Sequence, residues 1–311
     1  MDREPQAVGV KLQKETVLPV IEAALKEDVG PRDVTTAALI PKEQQAKGDL
    51  VVRQEGVVAG LQVAEWTFDQ VEPKIRFKPT LRDGDPVRPG KVVAFVEGPA
   101  RGILTAERTA LNFLSHLSGI ATITRVFVDK VRRYPTQILD TRKTTPALRL
   151  LEKYAVAMGG GVPHRMGLYD QVLIKDNHLR LVASRRERGA SPKGKGPSTI
   201  EVAVREARAK LQKGLLIEVE VTTLQEFRQA LSAQADIILL DNMKLSDIQE
   251  AVRLRNALVR SRKQRRILIE VSGGVTLETV EKMAATGADR ISIGALTHSA
   301  PALDVALELV E

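Results

Sequence analysis

The stretch Ile237-Ile238-Leu239-Leu240-Asp241, followed by Asn242, is typical of a short buried β-strand that ends in polar residues. Similar runs recur at Gln137–Asp140, Val172–Lys175, Leu215–Val221, Ile267–Ser272 and Arg290–Gly294. Amphipathic, helix-like segments separate these runs. Alternation of strands and helices over about 170 residues predicts parallel β/α units, and therefore either a barrel or a doubly wound sheet.

The residues that follow these strands distinguish the two arrangements. Most strand ends carry polar or glycine residues, as in Asp140-Thr141-Arg142-Lys143, Lys175-Asp176-Asn177, Glu220, Asp241-Asn242 and Ser272-Gly273-Gly274. In a barrel all these ends converge on one face, where the active sites of that fold are built. A doubly wound sheet would concentrate them at one switch point. The even spread predicts a barrel, with His164–Met166 as a candidate for a further short strand.

Residues 1–115 predict a separate, mixed α+β region. Its helix-like stretches are Lys14–Lys26 and Leu61–Val71, and its strand-like segments are Gly48–Arg53, Val57–Ala59, Lys74–Lys78 and Val92–Glu97. A long helical run follows from Ala106 to about Val131, with an expected interruption at Gly119.

The composition is that of an ordinary globular chain. Of 311 residues, 43% are hydrophobic and 28% are charged, and no apolar run approaches the roughly 20 residues that a membrane-spanning helix needs. There is no cysteine, which excludes disulfides and thiolate chemistry. The N-terminus lacks the apolar segment of a secretory signal, so a cytoplasmic location without membrane binding is expected.

The net charge of +8 favours anionic partners, which are either nucleic acids or polyanionic small molecules. Aromatic residues make up only 3% of the chain, which leaves few platforms for stacking bases. Small-molecule anions are therefore preferred, and no nucleic-acid partner is expected.

Basic side chains gather at the predicted strand ends. They are Arg142, Lys143, His164, Arg165 and Lys175, with Arg149 and Lys153 on the helix between. Such groups around one mouth would repel one another by several kcal/mol unless an anion is bound. The alternative is a solvated basic surface, but exposed charge normally favours helix faces over strand ends. The cations therefore predict an anion-binding site.

Two carboxylates, Glu220 and Asp241, also end strands. They suit a magnesium ion shared with substrate phosphates, because Mg²⁺ takes one or two carboxylates together with phosphate oxygens and water. Structural pairing with the lysines is an equally good interpretation. The glycine-rich turns Ser272-Gly273-Gly274 and Ser292-Ile293-Gly294-Ala295 are either phosphate seats or tight turns.

The sequence lacks the characteristic motifs of several enzyme classes. The four histidines, His116, His164, His178 and His298, include no pair with the i, i+4 spacing of a metal site, so no zinc site is expected. The chain has no Gly-x-Ser-x-Gly, no Walker-type loop and no Gly-x-Gly-x-x-Gly after a strand. Hydrolase, NTPase and dehydrogenase functions are therefore disfavoured.

A set of motifs runs through nearly the whole chain. The motifs are Glu27-Asp28 with Asp33 and Thr35, Glu107-Arg108-Thr109-Ala110-Leu111-Asn112, Ser118-Gly119-Ile120-Ala121-Thr122, Asp140-Thr141-Arg142-Lys143-Thr144-Thr145-Pro146, Gly159-Gly160-Gly161 with His164-Arg165, Lys175-Asp176-Asn177-His178, Glu218-Val219-Glu220, Leu240-Asp241-Asn242, Ser272-Gly273-Gly274 and Ser292-Ile293-Gly294-Ala295-Leu296-Thr297-His298. With them the chain resembles the quinolinate phosphoribosyltransferase family, also called nicotinate-nucleotide pyrophosphorylase (carboxylating). The segment from Asp140 to Pro146 is highly specific for the family, whereas the glycine motifs are not.

The resemblance implies an α/β fold with two domains. An N-terminal α/β sandwich is expected over residues 1–115, and an incomplete TIM-like β/α barrel of about seven strands over residues 116–311. The C-terminal end is a candidate to pack back on the N-terminal domain. The resemblance also implies a homodimer, or a higher oligomer, in which one subunit's N-terminal domain covers the partner's barrel mouth.

The activity implied is that of a glycosyltransferase of the pentosyl class. It transfers phosphoribosyl from phosphoribosyl pyrophosphate to quinolinate with decarboxylation, giving nicotinate mononucleotide, pyrophosphate and CO₂ in de novo NAD biosynthesis, and it uses Mg²⁺. By resemblance, the partner subunit's Arg108 would reach the pyridine dicarboxylate. Arg142, Arg165 and Lys175 would hold the carboxylates from within the barrel, with His164 beside them.

The resemblance assigns the remaining residues to the phosphates and the metal. Lys143, Glu220 and Asp241 would handle phosphoribosyl pyrophosphate and its Mg²⁺, with the two carboxylates as metal ligands. Ser272, Gly273 and Gly294 would seat the 5′-phosphate, with His298 close by. Lys143, Lys175, Glu220 and Asp241 are the expected catalytic residues.

Three positions depart from the family pattern. Ala147 stands where relatives often have glycine, Pro163 where they often have asparagine, and Gly30-Pro31-Arg32-Asp33 lacks a second glycine that many relatives have. No proposed ligand group is affected, so these departures concern loop shape.

Alternative functions differ in the residues they require. An enzyme of the same fold that accepts nicotinate would need fewer cations than Arg108, Arg142, Arg165 and Lys175 supply. A Schiff-base role for Lys175 would need a desolvated amine, which the neighbouring arginines and Asp176 disfavour. A nucleic-acid or carrier-type binding module is the alternative outside enzymes.

Two basic stretches fall outside this account, a flexible loop over residues 184–197 and a helix with its following turn over residues 253–266. Both are expected to be solvated surface. The alternative is a lid that collects phosphorylated substrate electrostatically.

Overall fold

The computed structural model describes residues 10–310, apart from 190–196, 212–213 and 263–265. The described helices are α1 (Lys14–Val29), α2 (Val34–Leu39), α3 (Leu61–Val71), α4 (Ala100–Val131), α5 (Arg149–Met158), α6 (Asp176–Gly189), α7 (Thr199–Lys210), α8 (Leu224–Ser232), α9 (Leu245–Arg262), α10 (Val280–Ala284) and α11 (Ala295–His298). The strands are β1 (Gln45–Val52), β2 (Gly56–Val57), β3 (Arg76–Pro79), β4 (Pro86–Val87), β5 (Val92–Pro99), β6 (Gln137–Leu139), β7 (Val172–Ile174), β8 (Ile217–Val221), β9 (Ile237–Asp241), β10 (Leu268–Ser272), β11 (Arg290–Ser292) and β12 (Val305–Val310).

The chain forms two compact units, and each is discontinuous in sequence. The first contains the chain up to Val128, Lys143–Pro163 and the chain from Gly294 onward. The second contains Asp129–Arg142 and His164–Ile293. The single boundary between residues 115 and 116 stays a prediction. The chain passes between the two compact units at four later points, after residues 128, 142, 163 and 293.

The first unit is built on a four-stranded antiparallel sheet with the order β12-β1-β5-β3. Strand β1 pairs with β12 on one side and with β5 on the other, so the last strand of the chain lies beside the first. Apolar residues of the sheet, such as Leu50 and Val96, share one buried cluster with Phe68 of α3 and Ile103 of α4. Burial of this face stabilises an α/β sandwich.

Helix α4 continues through Gly119, where the sequence predicted an interruption. A Cβ added at Gly119 would lie 2.0 Å from the carbonyl oxygen of Pro301. The glycine therefore permits close backbone packing inside an unbroken helix. By length and composition α4 could cross a membrane, although 56% of its most apolar window is buried within the protein, as in the core helix of a globular unit.

The second unit contains a parallel sheet with the strand order β6-β11-β10-β9-β8-β7. Strands β6 and β7 follow each other in sequence but lie at opposite edges, so the described sheet is an open, partial barrel. It has six strands rather than about seven. The expected strand at His164–Met166 is absent from the described residues, because Asp170 instead accepts the Met166 and Gly167 N–H groups in a tight turn.

Helices α7 and α8 follow the predicted β/α alternation and begin with reciprocal caps. Ser198 and Glu201 exchange side-chain to backbone hydrogen bonds at the start of α7, as do Thr223 and Glu226 at the start of α8. Such capping boxes satisfy N–H groups that the first helical turn leaves unpaired.

The two basic stretches differ from their predictions in different ways, the first in its secondary structure and the second in the burial of one arginine. Residues 184–189 belong to α6 rather than to a loop, with Arg185 paired to Glu206 at 2.8 Å, whereas residues 190–196 lie outside the described part. On α9, Arg255 is 1% exposed and binds Asp289 at 2.6 Å. Arg255 also donates to the carbonyl of Ile267, so it fastens α9 to the sheet.

Candidate active site

The parallel strands of the second unit place their polar ends on one edge. Asp140 and Arg142 follow β6, Lys175 follows β7, and Glu220 is the penultimate residue of β8. Asp241 and Ser272 end β9 and β10, which pair in register at these two residues. Because all six strands are parallel, these groups occupy the face on which barrel enzymes build their sites.

Two arginines lie close together at this edge. Arg142 has a buried Nε that makes no hydrogen bond within the described chain. Burial, and then the like charge of Arg142, lower the pKa of Arg165 below its ordinary value. A buried, unpaired donor beside a second guanidinium is unfavourable unless an anion supplies the acceptors. The pair is suited to hold a carboxylate by bidentate hydrogen bonds.

His164 directly precedes Arg165 in the chain and is held by several contacts. Its backbone N–H donates to Oδ1 of the buried Asp140 at 2.7 Å. Its Nε2 lies 3.3 Å from both Glu218 and Glu270. Its Nδ1 accepts the backbone N–H of Arg165 at 2.7 Å. The imidazole is thus fixed on both ring nitrogens by groups of the protein.

The cluster around His164 retains protons. Burial disfavours the charged ring, but the hydrogen bonds and charges of Glu218 and Glu270 raise the pKa of His164 to about 10. Burial and then the charge of Glu270 raise the pKa of Glu218 to about 7.

Lys175 and Glu220 form an ion pair, with Nζ 2.5 Å from Oε2. The backbone of Lys175 is fixed separately, because its N–H donates to Nδ1 of His178 at 2.9 Å. Nearly half of the Lys175 side chain is exposed, so its ammonium group is accessible to a ligand.

Asn242 links Asp241 to the turn after β10. It adopts a positive φ of 53°, its N–H donates to the carbonyl of Ser272 at 3.0 Å, and its side chain donates to Asp241 at 3.0 Å. Gly273 has φ +93°, and a Cβ there would lie 2.2 Å from Asn242 Oδ1. Glycine is therefore required both for the backbone conformation and for the close approach of Asn242.

Three other predicted site residues lie together in the first unit. A Cβ at Gly294 would lie 3.1 Å from the Lys143 side chain and 3.2 Å from the His298 ring. The carbonyl of Lys143 accepts the Thr297 hydroxyl at 2.8 Å. Arg108 is exposed on α4, and no hydrogen bond or ion pair joins it to another predicted site residue in the described chain.

Several residues that organise these groups were not predicted as site residues. Glu218, Glu270, Gln171 and Asn242 are the examples in the second unit. In the first unit, the buried Glu152 accepts the Thr145 N–H at 3.1 Å and contacts His116 at 3.0 Å, which fixes the loop after Lys143. One feature of the sequence could have identified the two glutamates as site residues. Side chains two residues apart on a strand share a face, so Glu218 lies on the face of Glu220, and Glu270 lies on the face of Ser272.

Two family models match consecutive parts of the chain. Residues 33–118 match the N-terminal domain of quinolinate phosphoribosyl transferase, and residues 120–308 match its C-terminal domain. The chain belongs to the quinolinate phosphoribosyltransferase family. Together the two matches include every predicted site residue.

Individual members of the quinolinate phosphoribosyltransferase family are similar over nearly the whole chain. Nicotinate-nucleotide pyrophosphorylase [carboxylating] of Mycobacterium leprae is 41% identical, with 93% of this chain and 95% of that protein covered. Quinolinate phosphoribosyltransferase [decarboxylating] 1b of Nicotiana tabacum is 40% identical, with 93% and 81% covered. The nicotinate-nucleotide pyrophosphorylase structure from Francisella tularensis superposes with a TM-score of 0.84 at 35% identity and covers 96% of this chain and 98% of that one. The predicted family and fold class are thereby confirmed.

Proposed function

We propose that this protein transfers phosphoribosyl from phosphoribosyl pyrophosphate to quinolinate with decarboxylation, giving nicotinate mononucleotide, pyrophosphate and CO₂. Family membership carries this proposal, and the chemistry of the strand ends supports it. The pair Arg142 and Arg165, with a buried guanidinium nitrogen left without an acceptor, is suited to a carboxylate of the acceptor.

The number of cations favours a dicarboxylate acceptor. Arg142 and Arg165 together match one carboxylate, and Lys175 offers a separate ammonium group beside Glu220. Nicotinate, which carries a single carboxylate, would leave part of this positive charge unmatched. Quinolinate, with two adjacent carboxylates, is therefore the preferred substrate.

The reaction requires no general base or covalent nucleophile from the protein. The pyridine nitrogen attacks C1 of the ribose while the C1–oxygen bond to pyrophosphate breaks, and the leaving group takes the electron pair. The ring nitrogen becomes cationic, so the ring accepts the electrons released when the adjacent carboxylate leaves as CO₂. A proton from solvent then fills the vacated carbon. The protein's task is to orient both substrates and to stabilise the leaving charge.

Glu220 and Asp241 would hold Mg²⁺ together with phosphoribosyl pyrophosphate. The residues present fit this ion, because two carboxylates end the adjacent parallel strands β8 and β9, and each uses one oxygen toward Lys175 or Asn242. When bound, the ion neutralises charge that develops on the pyrophosphate. Asn242 would orient Asp241 for this role, and Lys175 would turn from Glu220 toward a substrate carboxylate.

Lys143, Gly294 and His298 form a second group suited to phosphate. The absence of a Cβ at Gly294 leaves room for the Lys143 side chain and the His298 ring, and Thr297 and Glu152 fix the loop that carries Lys143. In the second unit, Ser272 and Gly273 offer a hydroxyl and a half-buried glycine turn. Each group, taken by itself, is suited to bind a phosphoryl group.

We further propose a homodimer in which the partner subunit's Arg108 completes the quinolinate site. Arg108 is exposed and unpaired in the described chain, as a residue that acts on a neighbouring subunit would be. In the second unit, Leu168 and Tyr169 are each 75% exposed in the loop after Arg165, which suits a surface covered by a partner.

Turnover with paired acceptors tests the function. Purified protein would be mixed with phosphoribosyl pyrophosphate, Mg²⁺ and either quinolinate or nicotinate, and the release of CO₂ and nicotinate mononucleotide followed. Product from quinolinate alone, lost on chelation and restored by added Mg²⁺, is the expected result. Turnover of nicotinate at an equal or higher rate would contradict the assignment of the acceptor.

A further inference from the structure

Two fully buried carboxylates lie one layer below the strand ends of the second unit. Glu218 precedes Glu220 on β8, and Glu270 precedes Ser272 on β10. Alternation along a strand places Glu218 on the face of Glu220 and Glu270 on the face of Ser272. Both side chains are inaccessible to solvent, so they lie inside the partial barrel and cannot themselves contact a ligand at its mouth.

Glu218 reaches the backbone of Arg165 through His164. Oε2 of Glu218 lies 3.3 Å from Nε2 of the imidazole. At the other side of the ring, Nδ1 accepts the Arg165 N–H at 2.7 Å. Glu270 contacts the same Nε2 at 3.3 Å and holds the ring from a second strand. The orientation of the ring is thus set from inside the barrel.

Glu218 reaches the guanidinium of Arg165 through Gln171. The Gln171 side chain donates to Oε2 of Glu218 at 2.6 Å. The backbone carbonyl of Gln171 accepts a hydrogen bond from Nη1 of Arg165 at 3.1 Å. Oε2 of Glu218 therefore anchors two chains of contacts, which we call arms. One arm runs through the His164 ring to the Arg165 backbone N–H, and the other runs through Gln171 to the Arg165 guanidinium.

Stability alone does not account for this arrangement. Oε1 of Glu218 makes no hydrogen bond within the described chain, and apart from the contact of Oε1 with His164 the Glu270 carboxylate has no hydrogen-bond partner there. Arg290 lies near enough to Glu218 to lower its pKa. Buried ionic groups of this kind are often replaced by apolar residues without loss of stability. A role in holding Arg165 gives the carboxylates a function that folding does not require.

We propose that Glu218, supported by Glu270, is a positioning residue that sets Arg165 for the acceptor carboxylate through His164 and Gln171. This inference rests on the proposed role of Arg165 in binding quinolinate. Glu218 touches neither substrate, so its effect is confined to the affinity for quinolinate.

The same three side chains allow one competing interpretation. The ligand atoms of His164, Glu218 and Glu270 lie within 4.8 Å of one another, a spacing that a metal ion could use. Metal analysis of the purified protein before and after chelation separates the two. A tightly bound divalent metal that depends on Glu218 would overturn the positioning role.

Two substitutions of Glu218 test the proposal by their difference. Glu218→Met removes the acceptor of both arms while filling the same space, and Glu218→Gln keeps one amide oxygen that both arms can share. We expect Glu218→Met to raise KM for quinolinate roughly tenfold or more, with KM for phosphoribosyl pyrophosphate and the Mg²⁺ requirement unchanged. Glu218→Gln should recover most of the affinity. Equal rises in both KM values would indicate a general structural role and overturn the proposal.

A double-mutant cycle tests whether Glu218 acts through Arg165. If it does, Glu218→Met added to Arg165→Ala should raise KM for quinolinate no further, because the arginine to be positioned is gone. Full additivity of the two effects would contradict the inference. A wild-type KM in Arg165→Ala alone would instead contradict the proposed role of Arg165 in the site.

Control variants cover folding and charge. Glu281→Met changes a glutamate of the same unit that pairs with Arg133 away from the cluster, and it should leave both KM values unchanged. If Glu218→Met does not fold, Gln171→Leu breaks a single arm and should still raise KM for quinolinate alone. A folded Gln171→Leu variant with wild-type kinetics would then overturn the proposal.

Discussion

The turn after β10 leaves no room for a side chain at Gly273. Its φ of +93° is unfavourable for other residues, and an added Cβ would meet Asn242 Oδ1 at 2.2 Å. We expect Gly273→Ala to displace Asn242 and with it Asp241, which raises KM for phosphoribosyl pyrophosphate. The matched control is Gly274→Ala, where φ is also positive but nothing lies within 4 Å. Steady-state kinetics on both variants check the prediction, and equal effects would argue against a role of Asn242.

Ala147 is held in the left-handed region with φ 65°. This conformation is unfavourable for a residue with a Cβ by about 1–2 kcal/mol, whereas glycine adopts it without that cost. Ala147→Gly should therefore raise the free energy of unfolding, by up to about 1 kcal/mol after the greater entropy of glycine in the unfolded chain is included. Denaturant titration would show this, and a loss of stability would mean that the loop has relaxed.

The proton retained by the cluster of His164, Glu218 and Glu270 links stability to pH. The two carboxylates raise the pKa of His164 from 6.5 to about 10, against the effect of burial. A raised pKa contributes stability that is complete below the unfolded value and lost as the pH rises through the folded value.

We therefore expect the free energy of unfolding of the wild type to fall between pH 6.5 and about 10 more steeply than that of Glu270→Gln. Urea titrations at a series of pH values measure the difference, in which most other titrating groups cancel. Parallel pH profiles would mean that the cluster does not retain a proton.

Helix α2 depends on a single capping carboxylate. Oδ1 of Asp33 accepts the Thr36 N–H at 2.9 Å, and Oδ2 accepts the Thr105 hydroxyl of α4 at 3.1 Å. The hydrogen bonds from Thr36 lower the pKa of Asp33 in the folded protein. The stability that the cap contributes is therefore complete above pH 3.8, the pKa in the unfolded chain, and is lost as the pH falls through the lower pKa of the folded state. Asp33→Ala should reduce the unfolding free energy by about 1 kcal/mol at neutral pH, whereas Asp33→Asn should retain most of it. Thermal unfolding of both variants distinguishes loss of the cap from loss of charge.

Helix α4 shows how one residue type permits two local interpretations. A glycine in the middle of a helical pattern lowers helix propensity, and on that ground Gly119 predicted an interruption. The helix instead runs unbroken from Ala100 to Val131, because the segment at Pro301 approaches its backbone closely at this glycine. The deciding contact joins residues far apart in sequence.

The proposed dimer makes a prediction about mixed subunits. Arg108→Ala and Lys175→Ala would each inactivate every site of a homodimer, by removing a cation from opposite sides of a shared site. In a mixed dimer the two defects fall into the same site, and the other site is intact. Unfolding and refolding the two inactive variants together should restore about a quarter of wild-type activity. Each variant refolded alone is the control, and no recovery in the mixture would contradict a shared site.

The fold class, the positions of the strands and most groups at the strand ends follow from local sequence. A buried strand requires a short apolar run, and a polar residue directly after it must lie at the sheet edge, so Glu220, Asp241 and Lys175 were found by pattern. The family motifs, above all Asp140 to Pro146, added the reaction.

Contacts between distant segments were beyond the reach of the sequence. Three features depend on how the chain is packed. They are the division into two units that each consist of several chain segments, the clustering of Gly294 with Lys143, and the burial of Glu218 and Glu270 against His164. The alternating pattern of a strand does not show whether a glutamate in it contacts solvent or an imidazole. Its desolvation and its hydrogen-bond partner, which set both its pKa and its role, exist only once the strands have been brought together.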